Sequence, residues 1–172
     1  ALSERRDRLL GTQTPLFYEE PIHIVRGEGI HLYDAAGKQY VDMYNNVPCV
    51  GHANPRVVSA MQQQAATLNV HSRYLHEGIL DYAERLTALH AEPLSRAVFC
   101  CTGTEASEIA LRMARAATGG RGIISTDATY HGNSTEVVRL SAVARDPEGN
   151  PDNRAIPFPQ KYRPLDSNAS EA

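Results

Sequence analysis

The sequence has no tryptophan, only three cysteines and little charge bias: 17 basic residues against 20 acidic ones leave a net charge of −3 at pH 7. Without an excess of positive charge, a broad nucleic-acid footprint is not expected. No apolar run approaches the roughly 20 residues needed to span a bilayer, so no membrane partner is expected. Ala1 to Leu10 carries Glu4, Arg5, Arg6, Asp7 and Arg8, which argues against a secretory leader there. Cys49, Cys100 and Cys101 are odd in number and include a neighbouring pair. That is no disulfide framework, and it points to a reducing, cytoplasmic setting. Lysine is scarce: Lys38 and Lys161 stand against fifteen arginines. What is present is apolar material, 42% of 172 residues. It suffices for one domain with a core, or for part of a larger one, and is too much for disorder throughout.

Residues 22–44 read as strands. Ile30 and Leu32 alternate with His31 and Tyr33, Ala35-Ala36-Gly37-Lys38 makes a turn, and Tyr40 to Met43 returns. Asn54-Pro55 reads as a helix N-cap followed by proline at the first helical position, with Val57, Val58, Met61, Ala65 and Leu68 forming a stripe behind it. A second helix is expected over about 77–90. Ala97 to Cys101 is a short apolar run of the kind found in buried strands. A helix follows over about 104–117, ended by Gly119-Gly120, and then a strand from Gly122 to Thr126. Strand, helix, strand in about 30 residues predicts a βαβ unit and a parallel sheet. Residues 145–172 hold five of the ten prolines without periodicity and read as extended or poorly ordered. The whole reads as a piece of an α/β domain, because a parallel sheet needs more strands and helices on both faces.

Thr102-Gly103-Thr104-Glu105 sits where a strand gives way to a helix. The first turn of a helix leaves backbone N–H groups unpaired, and the helix dipole puts positive potential there. A phosphate monoester suits that place. Gly103 allows close approach, and the hydroxyls of Thr102 and Thr104 can add hydrogen bonds. Thr102 and Glu105 also fit a capping box, so a capped helix start with no ligand fits the same residues. A dinucleotide fingerprint and a Walker loop are both missing. Tyr130-His131-Gly132 follows the next strand, and ligands of open α/β sheets bind beyond the carboxyl ends of strands. An aromatic ring there could stack on a flat heterocycle while the neighbouring turn holds its phosphate.

Cys101 to Arg115, the block Thr129-Tyr130-His131-Gly132, Tyr33 to Asp42, and Gly51-His52-Ala53-Asn54-Pro55 occur in an order that resembles the class III aminotransferases, fold-type I enzymes dependent on pyridoxal 5′-phosphate (PLP). Asn45 to His52 and His71 to His76 resemble a subgroup containing phospho-lyases that act on ethanolamine phosphate and phosphohydroxylysine. Ser107 stands where that family usually has Asn, and Asn54 where many members have His. The resemblance implies a partial fold-type I large domain with a parallel βαβ unit, preceded by a β-hairpin segment of the small domain. The segments would be 1–53 (small-domain part), 54–144 (start of the PLP-binding large domain) and 145–172 (tail). It implies that Gly103 and Thr104 bind the cofactor phosphate with help from Thr102. Tyr130 would stack on the pyridine ring with His131 beside it, and Asn46 and Val47 would line the substrate pocket. Arg73 would meet a substrate carboxylate or phosphate, or else be an ordinary surface arginine. The substrate would be a small amine or amino acid, and the intact enzyme a homodimer.

The family's chemistry needs a lysine that holds the cofactor as an imine. Lys38 falls in a predicted turn and Lys161 in the proline-rich stretch, so the Schiff-base lysine is expected beyond Ala172 and the chain alone is expected to be inactive. The chain then reads as the N-terminal part of a transaminase or a phospho-lyase, as one half of an enzyme completed by a C-terminal half chain, or as a non-catalytic phosphate-binding or dimerisation piece. His52, His71 and His76 lack a zinc-ligand spacing, so no metal is expected.

Overall fold

The computed structural model describes residues 1–13, 16, 18–44, 48–141, 152–160 and 162. They fall into two compact units, Ala1–Leu75 and His76–Ala172. Asn46, Val47 and Lys161, named above, lie outside the described residues.

The first unit opens with helix α1 (Leu2–Leu10), which carries Glu4 in its first turn and Arg8 in its last. That order suits the helix dipole. A three-stranded antiparallel meander follows: β1 (Ile24–Glu28), β2 (His31–Asp34) and β3 (Gln39–Val41). Its register pairs Glu28 with His31 and Tyr33 with Gln39, so both connections are short. Asp34 closes the second turn: its Oδ1 accepts from the N–H of Ala36 (2.9 Å) and Lys38 (2.8 Å), and its Oδ2 from the Tyr40 hydroxyl (2.9 Å). Burial pushes the Asp34 carboxyl up, but the Lys38 and Ala36 N–H groups, the Tyr40 hydroxyl and the Lys38 charge outweigh it and hold it below the ordinary carboxylate range. Gly51-His52 folds back on the first turn. Gly29 and His52 exchange backbone hydrogen bonds of 2.9 and 2.8 Å, and His52 Nε2 lies 2.7 Å from Asp42 Oδ2. Asn54 then caps α2 (Pro55–Thr67), its Oδ1 accepting from the N–H of Arg56 at 3.1 Å. The stripe expected on α2 is present but uncovered, with Val57, Val58 and Met61 exposed.

The second unit contains α3 (Glu77–Thr87), α4 (Gly103–Thr118), β4 (Ile123–Thr126), a single turn α5 (Thr135–Val138) and β5 (Asn153–Ile156). α4 ends at Gly119, whose φ of 68° is the left-handed cap expected of glycine there. Residues 97–101, expected as a strand, join no ladder among the described residues. Phe99 instead stacks on Tyr82 of α3, ring centroids 5.2 Å apart. An apolar run signals burial, but a strand exists only where a neighbour takes up its hydrogen bonds. The parallel pairing is found between β4 and β5, in register from Ile123↔Asn153 to Thr126↔Ile156. β5 lies inside the proline-rich stretch, just ahead of Pro157 and Pro159, which cannot donate to a ladder. Among the described residues the buried side chains are Val137 on α5 and Leu140 and Ser141 just after it. Ile124 on β4 is 70% exposed, so one face of this parallel pair is uncovered. No helix among the described residues is long and apolar enough to cross a membrane.

Candidate functional site

The start of α4 is built by its own sequence. Thr102 is extended (φ −143°, ψ 158°), and its Oγ1 accepts from the Glu105 N–H at 3.1 Å. Glu105 returns the favour one residue earlier than a strict capping box would: its Oε2 accepts from the N–H of Cys101 at 2.8 Å. The first helical bond runs from the Ala106 N–H to the Thr102 carbonyl. Among the described residues, the N–H groups of Gly103 and Thr104 meet no acceptor. A Cβ placed on Gly103 would have nothing within 4 Å. Two unpaired donors at the positive end of a sixteen-residue helix, with open space beside Gly103, fit an anion. The Thr102 hydroxyl is engaged as an acceptor and keeps its proton to donate.

The loop after β4 is brought to the same place. Gly132, at φ 131°, packs so tightly on Thr104 that a Cβ there would lie 2.8 Å from the Thr104 Cα and overlap its Oγ1. The loop is held from behind: Thr129 Oγ1 donates to the Leu140 carbonyl (2.8 Å), and the His131 N–H donates to Ser141 Oγ (3.3 Å). The Tyr130 side chain stays 65% exposed, while His131 lines a cavity of about 440 Å³ between α4, β4 and α5. Thr102, Gly103, Thr104 and the Tyr130–Gly132 loop therefore come together, as their spacing suggested.

Other residues are placed elsewhere. Arg73 belongs to the first unit, in a turn where its N–H donates to His71 Nδ1 at 3.2 Å. His76 caps α3 by accepting from the Gly78 N–H, and His52 is engaged with Asp42. Lys38 lies in the β2–β3 turn with its Nζ 4.9 Å from the centre of the Tyr40 ring. Four residues without an assigned role in the sequence reading join α4 to α5: Glu108 and Arg115 on α4, and Ser134 and Glu136 at α5. Ser134 Oγ donates to Glu108 Oε1 at 2.5 Å, and Arg115 Nη1 to Glu136 Oε2 at 2.8 Å. Glu108 and Arg115 were visible as charged residues seven apart on one helix, but a charged face on a helix is ordinarily solvated.

The pattern described as Aminotransferase class-III matches residues 17–160. The chain belongs to the class III aminotransferases. A Drosophila melanogaster member, Alanine--glyoxylate aminotransferase 2-like, is 40% identical over 137 residues, covering 79% of this chain and 28% of that protein. A solved phospholyase from Arthrobacter in complex with phosphoethanolamine shares 43% identity at a TM-score of 0.85, over 92% of this chain and 38% of that one. A taurine:2-oxoglutarate aminotransferase from Bifidobacterium kashiwanohense, in complex with PLP and glutamate, shares 27% identity at a TM-score of 0.76, over 94% and 38%. The chain thus spans between 28% and 38% of the length of these class III relatives, and it carries the corresponding part of the fold-type I architecture.

Proposed function

We propose that this chain supplies the phosphate-binding turn and the ring-stacking loop of a PLP-dependent class III enzyme that transfers the amino group of a small amine or amino acid. The observation that carries the reading is the pair of unpaired N–H groups at Gly103 and Thr104, with open space beside Gly103 and the Tyr130–Gly132 loop packed on Thr104. These two donors and the hydroxyls of Thr102 and Thr104 bind the phosphate. The Tyr130 ring stacks on the pyridine face, and His131 flanks it. When bound, PLP supplies an aldehyde for the substrate amine and a ring that withdraws electrons from its α-carbon. Lys38 sits in the β2–β3 turn beside the Tyr40 ring, which supports a Schiff-base lysine other than Lys38; a lysine contributed from outside this chain and inactivity of the chain alone belong to the same proposal. Asn46, Val47 and Arg73 belong to the substrate side in the same proposal. So do the division into 1–53, 54–144 and 145–172, a homodimer in the intact protein, and a cytoplasmic setting.

A second reading is elimination of phosphate from an amino-alkyl phosphate. The 43% identity to the solved phospholyase supports it, and the 40% identity to Alanine--glyoxylate aminotransferase 2-like supports transamination nearly as strongly. Two experiments test these readings. The chain is titrated with PLP and with pyridoxal, which lacks the phosphate. At least tenfold tighter binding of PLP is expected, lost in Gly103→Asp; equal affinities would overturn the phosphate turn. The chain is then supplied with a C-terminal half chain that carries the lysine and offered phosphoethanolamine. Release of inorganic phosphate supports elimination, and conversion of an amino acid to its oxo acid without phosphate release supports transamination.

A further inference from the structure

We propose that Glu108 is a positioning residue for this site, one that acts through Tyr130 by holding the loop Asp127–Ser134 against the start of α4; the proposal rests on the PLP reading above. α5 is too short to hold its own place. Its N-cap, Ser134, makes no side-chain capping bond to its own helix. The Ser134 hydroxyl donates instead to Glu108 Oε1 at 2.5 Å, and the N–H of Glu136 donates to the same oxygen at 3.3 Å. A carboxylate of α4 thus performs the capping of α5 from outside, with the extra strength that a charged acceptor brings. Seven residues along, Arg115 pairs with Glu136 Oε2 at 2.8 Å, while Arg139 reaches Glu136 Oε1 at 3.4 Å.

The spacing explains why this fixes the loop. Thr104, Glu108 and Arg115 are four and seven residues apart and share one stripe of α4. The stripe meets the following chain in order: Thr104 against Gly132, Glu108 against Ser134 and Glu136, Arg115 against Glu136. The loop is anchored at β4 before it, by the Thr129 and His131 bonds from behind and at Ser134 after it, so the Glu108 contact fixes the end of the loop nearer Gly132 and with it where the Tyr130 ring stands relative to the unpaired N–H groups.

The test uses the full 172-residue chain. Hydrogen exchange needs no ligand: Glu108→Ala is expected to speed exchange at His131 and Gly132 at least tenfold while the amides of Leu111 to Arg115 within α4 keep their wild-type rates. Glu108→Gln, which retains a carbonyl acceptor, is expected to restore protection. A double-mutant cycle on PLP affinity follows. Glu108→Ala and Tyr130→Ala are each expected to weaken PLP about tenfold. The double variant should be no weaker than Tyr130→Ala alone, because the first change acts only by displacing the second residue. Losses that multiply, or exchange that rises throughout α4 as well, would overturn the positioning role while leaving the phosphate turn standing. Equal wild-type affinity for PLP and pyridoxal would instead remove the functional reading beneath it.

Discussion

Residues 1–75 and residues 76–172 hold their strands by different means. In the first unit, β1, β2 and β3 are neighbours in sequence, joined by short turns, the second of which is closed by its own Asp34. In the second, β4 meets β5 about 30 residues away, and side chains on α4 hold Ser134 and Glu136 in the chain that follows β4. An antiparallel meander closes with little loss of chain entropy, whereas a parallel pair needs a crossover and something to pin it. The candidate site lies in the second kind of structure. Its parts are set by a few contacts between distant residues, and those contacts are where substitutions should have most effect.

The contrast is broken most directly at Gly132. Gly132→Ala puts a methyl group into Thr104 at a φ that L-residues avoid, and should destabilise the second unit by about 3 kcal/mol, the sum of backbone strain and overpacking. Urea unfolding followed through the Tyr130 loop would measure it, and PLP binding should be lost with it. The first unit offers a matched case in Gly27, whose added Cβ would lie 2.7 Å from the His52 side chain. Gly27→Ala should cost about 2 kcal/mol, because His52 must leave Asp42; the His52 imidazole resonances would report the displacement. A much smaller loss there would mean that the meander's backbone bonds, rather than the His52 contact, hold the unit. The smallest effect is expected from pH. Asp34 is held below its ordinary value, so its contribution to the β2–β3 turn is complete above the usual carboxylate range and disappears as pH falls through the lowered value. Faster amide exchange at Ala36 and Lys38 on acidification, absent in Asp34→Asn, would show it.

The local parts of this description were legible in the residues. Asn54-Pro55 opens α2, Thr102 caps α4 and Gly119 closes it, each within a residue or so of the position expected. A cap is an interaction between residues three or four apart, so the sequence contains both partners side by side. The likeness of residues 101–115 and 129–132 to a PLP family likewise rested on contiguous blocks and was borne out by the match over residues 17–160. The strand expected at 97–101 was not found as one, and β5 arose in a stretch that reads as extended or poorly ordered. In both cases apolar content or proline content stood in for a partner that no local pattern can name.

What the amino-acid sequence determined by itself was therefore the family, the helix termini and the turn that leaves the Gly103 and Thr104 N–H groups unpaired, because each depends on residues close along the chain. Tertiary structure alone decided that Gly132 meets Thr104 and that Glu108 caps a helix 26 residues away. A charged side chain on a helix surface carries no mark of its partner until the fold brings one within hydrogen-bond distance.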